Sequence, residues 1–249
     1  MPTRYVWTLL ALAGLAGPAA GGETVFQSGQ RQTGLVELFT SEGCSSCPPA
    51  DRWLSASERD PALWRDFVPI AFHVDYWDSL GWRDRFASAA WTERQRRYAA
   101  EGGLSTVYTP GVLLNGQEWR RWGNDARPGP GQEVGTLRAE LVGPALAVSF
   151  RPLASLNGPV TVHVALLGVG LTTDVKAGEN RGEKLSHDFV VLGLGDVALR
   201  TDAAGYAATV PLPSSELRPP RRALAVWVTT GKGQAPLQAT GGWLPPPSS

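Results

Sequence analysis

The sequence has only two cysteines, Cys44 and Cys47, and three histidines in 249 residues. It lacks a second cysteine pair, so a four-thiolate zinc site has no ligands to draw on. It lacks an excess of either charge: Lys+Arg and Asp+Glu are both 23. No basic block stands out, which argues against nucleic acid as the main partner. Beyond the N-terminus there is no apolar run long enough to cross a bilayer, and no internal repeat.

What is present points to a globular protein. Hydrophobic residues make up 43% and charged residues 18%, enough to bury a core. Gly 29 and Pro 20 predict many turns. The N-terminus has the order of a signal peptide: Arg4, a short apolar run over 6–16, then small residues over 17–22. This predicts a leader over 1–22 and a periplasmic or secreted location, against the plainer reading of a buried N-terminal helix.

The first two-thirds alternate strand-like and helix-like stretches. Strands are expected at 35–40, 67–76 and 111–115, with 117–122 pairing back through the Asn115-Gly116 turn. Helices are expected at 48–59, 83–100 and 132–141. In the second of these Phe86, Ala90, Trp91 and Tyr98 form the apolar stripe, and Arg94, Arg96 and Arg97 face water. Strand, helix, strand, helix, hairpin, helix is the element order of a thioredoxin core. The rest is a series of short β-type runs at 146–150, 160–167, 189–192, 207–212 and 223–229. The expected fold class is therefore an α/β thioredoxin-like domain over 30–142, followed by a small all-β, sandwich-like domain over 143–244. The tail 245–249 is expected to be disordered.

The cysteine pair carries the chemistry. A bridge across two intervening residues closes too small a loop to staple a fold. At a strand-to-helix junction, free backbone N–H groups and the helix dipole stabilise a thiolate. Cys44 is then the nucleophile, and Cys47, one turn along, the resolving thiol. The alternatives are an inert pair, or a soft-metal site such as Cu(I) formed by Cys44, Cys47 and His73.

The stretch from Val36 to Asp51, including Glu37-Leu38-Phe39-Thr40-Ser41-Glu42-Gly43-Cys44-Ser45-Ser46-Cys47-Pro48-Pro49-Ala50-Asp51, resembles the signature of a family of exported bacterial proteins. That family is thioredoxin-like in fold and catalogued as a domain of unknown function. His73-Val74-Asp75-Tyr76-Trp77-Asp78, Gly81-Trp82, Arg94-Gln95 through Tyr98, and Tyr108-Thr109-Pro110 match it too. The resemblance resumes weakly at 178–182, a loop that either packs against the redox face or forms an ordinary turn. It departs at Gly111, where the family pattern has Gln. It implies a fold and an export context, not an activity. It also implies that Thr109-Pro110 is cis and faces the pair, and that Glu37, beneath the pair, is a candidate proton acceptor for the resolving thiol. A solvated or Arg-paired Glu37 is the alternative.

His73 and Asp75 share one side of a strand and are read as structural partners rather than acid–base groups. Trp77, Trp82 and Trp91 are read as core. His163 is expected to face solvent, and neither it nor His187 carries a role. The expected function is an exported thiol–disulfide oxidoreductase acting on protein or small-molecule thiols and disulfides, with no cofactor. Metal handling and a non-catalytic binding module are the alternatives.

Overall fold

The computed structural model describes residues 24–123, 128–129 and 131–246. The expected leader (1–22) and the last three residues of the expected tail lie outside them.

Two α-helices and fifteen strands are found among the described residues. β1 (Val25–Gln27) and β2 (Gly34–Thr40) lead to α1 (Pro48–Ala56), β3 (Phe67–His73) and α2 (Ala89–Ala100). β4 (Gly111–Leu114) and β5 (Gln117–Glu118) form a hairpin on the far side of β2. The strands that follow are β6 (Gly135–Val142), β7 (Ala145–Pro152), β8 (Val160–Val169), β9 (Leu171–Asp174), β10 (Lys184–His187) and β11 (Val190–Ala198). The chain closes with β12 (Arg200–Asp202), β13 (Gly205–Pro211), β14 (Arg221–Thr230) and β15 (Gln238–Trp243).

These strands correct the expected fold class. The molecule is predominantly β, not an α/β domain with a separate sandwich after it. An eight-stranded sheet runs β15-β14-β8-β11-β3-β2-β4-β5 and so joins strands from both halves of the chain. The join is narrow: β11 runs parallel to β3 through the Val190/Ala71 pair, and Ala71 N–H donates to Phe189 O at 2.9 Å. A five-stranded sheet, β1-β6-β7-β13-β12, packs on one face of the large one.

Alternating side chains explain why the halves cannot be separate layers. Along β8, Val160, Val162, Val164 and Leu166 enter the core shared with the five-stranded sheet, while Ala165, Leu167 and Val169 enter the core beneath the helices. β14 divides likewise, with Leu224, Val226 and Val228 on one side and Ala223, Ala225 and Trp227 on the other. The two-residue period of a strand feeds two cores at once.

Two expected helices change. Residues 132–141 form no helix; β6 lies there. Leu137 and Ala139 point inward, with Thr136, Arg138 and Glu140 between them less buried. Good helix formers hid a two-residue alternation, and burial against β1 and β7 favoured the strand. The expected helix at 83–100 starts only at Ala89, where the Ser88 hydroxyl accepts the Ala90 N–H. Arg94 does not face water: it is buried against Glu37. His163 is not a solvent-facing residue either. It bonds Asp196 at 2.7 Å and Thr229 at 3.0 Å and stacks on Trp227.

Candidate functional site: a buried disulfide over an acid–base cluster

The candidate site lies beyond the carboxyl ends of the parallel strands β2 and β3, where open sheets commonly hold their sites. After Thr40 the chain turns tightly. Ser41 Oγ accepts the Gly43 N–H, Ser41 O accepts the Cys44 N–H, and Cys44 O accepts the Cys47 N–H. Cys44 and Cys47 are joined in a disulfide, with Cα atoms 5.4 Å apart. α1 begins at Pro48, immediately after the second cysteine. Both cysteines thus precede the helix, in line with its expected start at Pro48, and Cys47 is its N-cap residue. Pro48 and Pro49 also have no N–H, so the helix start presents fewer free donors than an ordinary one.

Both cysteines are 0% exposed, while Ser45 and Ser46 between them are exposed. The loop between β9 and β10 packs on this turn. Asn180 Nδ2 donates to Glu42 O at 2.8 Å and to Cys44 O at 3.0 Å. Glu179 Oε2 accepts the Ser45 N–H at 3.0 Å, and the Ser45 hydroxyl together with that N–H holds its carboxyl below the usual range. The loop therefore packs on the cysteine turn from more than 130 residues away in sequence.

Trp77 links the cysteine turn to the Thr109-Pro110 segment. Its Nε1 donates to Thr109 Oγ1 at 2.8 Å, and a Cβ at Gly43 would come within 2.9 Å of Trp77 Cβ. The Thr109-Pro110 peptide is cis. Beside it, Gln95 of α2 donates to Tyr108 O at 2.6 Å. A side chain at 111 would meet that carbonyl at 2.9 Å and Gln95 Nε2 at 3.2 Å, so the site needs Gly111. Trp82 also belongs here, donating to Glu42 Oε2 at 2.8 Å. Trp91 packs on Phe72 away from it.

Next to the disulfide lies a cluster of buried ionisable groups: Glu42, Asp51, His73, Asp84 and His187. His73 Nδ1 and Asp84 Oδ2 are 2.6 Å apart. Burial alone would lower the His73 pKa; the Asp84 carboxylate more than reverses this and holds it above the ordinary value. Burial would raise Asp84; His73 and the N–H groups of Glu42 and Phe86 bring it below the usual carboxylate range. Asp51 is pushed up by burial, against the pull of His187 and His73. His187 stands edge-on to His73, with ring centroids 4.9 Å apart.

Glu37 is not part of this cluster. Its Oε2 accepts from Arg94 Nε at 2.8 Å, and its Oε1 from the Tyr98 hydroxyl at 2.5 Å. Both oxygens are taken by α2. Burial and the Glu37 carboxylate push the Tyr98 hydroxyl well above its ordinary pKa. His73 finds its partner in Asp84, not in Asp75, whose carboxylate accepts from Thr92. A metal site at Cys44, Cys47 and His73 does not fit this arrangement. The sulfurs are bonded to each other, His73 Nδ1 is committed to Asp84, and among the described residues no three His, Cys, Asp or Glu side chains are placed to share an ion.

Sequence reasoning missed Asp51, Asp84 and His187 as site residues, whereas the 178–182 loop was singled out, and of its two readings the structure shows the one in which it packs on the cysteine turn. Asp51 was readable: it stands four residues after Cys47 at the start of a helix, on the same face. Nothing local distinguishes Asp84 or His187, which arrive from other segments.

The family model described as "Protein of unknown function (DUF1223)" matches residues 35–229. The chain belongs to this family. The DUF1223 match starts in β2 and ends in β14, so it includes the cysteine turn, the loop between β9 and β10 and most of the large sheet. Among solved structures, the chain is similar to the protein AGR_C_4864 of Agrobacterium tumefaciens, with 31% identity and a TM-score of 0.62, covering 87% of this chain and 96% of that one. It also resembles HBP35 of Porphyromonas gingivalis in fold, at 14% identity and a TM-score of 0.56, covering 87% of this chain and 76% of the other. Comparison with curated proteins gives no match.

Proposed function

We propose that this DUF1223 protein is an exported thiol–disulfide oxidoreductase, with Cys44 as nucleophile, Cys47 as resolving thiol, and protein or small-molecule thiols and disulfides as substrates. The observation that carries this reading is the Cys44–Cys47 disulfide, closed across an exposed Ser45-Ser46 turn beside buried acid and base groups. So small a bridge adds little to fold stability, whereas buried groups with displaced pKa values are what proton-coupled chemistry needs. Thr109 and Pro110 border the site through Trp77, where an extended substrate would lie against the turn. Glu37, bound to Arg94 and Tyr98, supports α2 in this reading and takes no proton from the cysteines.

The test is exchange with a dithiol and with the matching disulfide. The disulfide form of the parent should oxidise the first, and its reduced form should reduce the second. Cys44→Ser should abolish exchange, and Cys47→Ser should accumulate mixed disulfides, seen as adducts by mass spectrometry. Exchange by both variants at the parental rate would overturn the assignment. Export is tested separately, by N-terminal sequencing of protein recovered from a bacterial periplasm. An intact Arg4 there, or protein retained in the cytoplasm, contradicts it.

A further inference from the structure

His187 is buried between two carboxyl groups. Its Nε2 is 3.3 Å from Glu42 Oε1 and its Nδ1 is 3.9 Å from Asp51 Oδ2. Among the described residues, neither ring nitrogen, nor Glu42 Oε1, finds a hydrogen-bond partner. A buried polar group without a partner is costly and calls for a reason. His187 comes from β10, while Glu42 is two residues before Cys44 and Asp51 is four after Cys47. Cys47 has helical backbone angles, φ −79° and ψ −35°, and its carbonyl accepts the Asp51 N–H at 3.1 Å. Side chains four apart in such a segment lie one above the other, with Cβ atoms about 5–6 Å apart. The Asp51 carboxyl thus lies on the Cys47 side of α1, and His187 behind it.

We propose that Asp51, positioned by His187, is the acid–base partner of Cys47. This rests on the redox reading above and adds a proton path to it. In reduction, a thiolate of the donor dithiol attacks Cys44 Sγ. The Cys44–Cys47 bond breaks, and Cys47 leaves with the electron pair. The Asp51 carboxyl gives its proton to Cys47 Sγ and becomes a carboxylate facing His187. The second donor thiolate attacks the donor sulfur held by Cys44, closing the donor disulfide and expelling the Cys44 thiolate. The two protons lost by the donor thiols balance the account, one restoring Asp51 and one protonating Cys44. In oxidation the Asp51 carboxylate removes the Cys47 proton as Cys47 attacks the mixed disulfide at Cys44.

Burial supports this role, since it keeps the Asp51 carboxyl protonated to higher pH than an exposed one. The other titratable groups around it are Glu42 from the turn, His73 from β3, Asp84 from the loop before α2, and His187.

The test uses the reduced full chain and an aromatic disulfide such as 5,5′-dithiobis(2-nitrobenzoate), followed by stopped flow between pH 5 and 9. The first released thiolate reports attack by Cys44, and the second reports attack by Cys47 on the mixed disulfide. In the parent, the second phase should switch on below the ordinary thiol pKa of about 8.5. Asp51→Asn, close in shape to the protonated acid, should slow that phase about a hundredfold and move its inflection back toward 8.5, leaving the first phase unchanged. His187→Gln should shift the inflection with a smaller loss of rate. A parental second phase in Asp51→Asn, with the first phase intact, overturns the proton path and leaves the redox reading standing. No first phase in the parent overturns both. Should neither variant fold, the parental profile decides: an inflection at the free-thiol value overturns the proposal, and an earlier one supports it.

Discussion

Arg94 is one of three arginines in a four-residue stretch of α2, yet it alone is buried there, at 3% exposure. Its guanidinium binds Glu37 and lies over the rings of Phe72, Tyr98 and Trp227 at 5.1–5.3 Å. The Glu37 carboxylate outweighs the burial that would otherwise lower the Arg94 pKa. Removing one member of such a pair leaves a buried charge unmatched. Arg94→Met should therefore cost about 3–5 kcal/mol, read by urea denaturation, while the folded fraction keeps parental disulfide chemistry. A loss below 1 kcal/mol would show that Glu37 finds another partner. The His73–Asp84 pair makes a pH prediction. The raised His73 pKa contributes stability that is complete below its unfolded value of 6.5 and is lost as pH rises through the folded value. The lowered Asp84 pKa contributes stability that is complete above 3.8 and is lost as pH falls through its folded value. Thermal melts should show stability falling on both sides of this window, and Asp84→Asn should flatten both limbs.

At the scale of elements, the loop between β9 and β10 is bonded to the backbone of the cysteine turn. It is held by the two hydrogen bonds of Asn180 and the one accepted by Glu179. Asn180→Ala removes two donors and leaves the carbonyls of Glu42 and Cys44 without this partner. At roughly 1 kcal/mol per bond, reduction of the disulfide by dithiothreitol should become about tenfold faster or more. An unchanged rate would mean that the sulfurs are reached by another route. The elements also show what local pattern reveals. β2 and β3 were readable from their apolar runs, and α1 from its proline-led start. β6 was not, because Leu, Arg, Ala and Glu favour helix while their alternation favours strand; only pairing with β1 and β7 resolves the conflict. The start of α2 was missed because Phe86 belongs to the cluster around His73 and His187 rather than to the helix stripe.

For the whole molecule, the shared strands make a sharp prediction. Residues 24–142 alone would lose Ala165, Leu167, Phe189 and Trp227 from the core beneath the helices, and β3 would lose its β11 neighbour. That fragment should lack the near-ultraviolet circular dichroism of packed aromatics and should bind an apolar dye. A cooperative melt from it would show that the first half folds unaided. Sequence by itself determined the local facts: a cysteine pair three residues apart, the strand before it, the helix after it, and the Thr109-Pro110 segment downstream. Each depends on neighbours a few residues away, so local stereochemistry and periodicity record it. Tertiary structure alone decided that one sheet spans both halves, that Arg94 is buried, and that Asp84, Asn180 and His187 meet at the disulfide. Those outcomes depend on which distant surfaces exclude water together, and no short stretch of sequence carries that information.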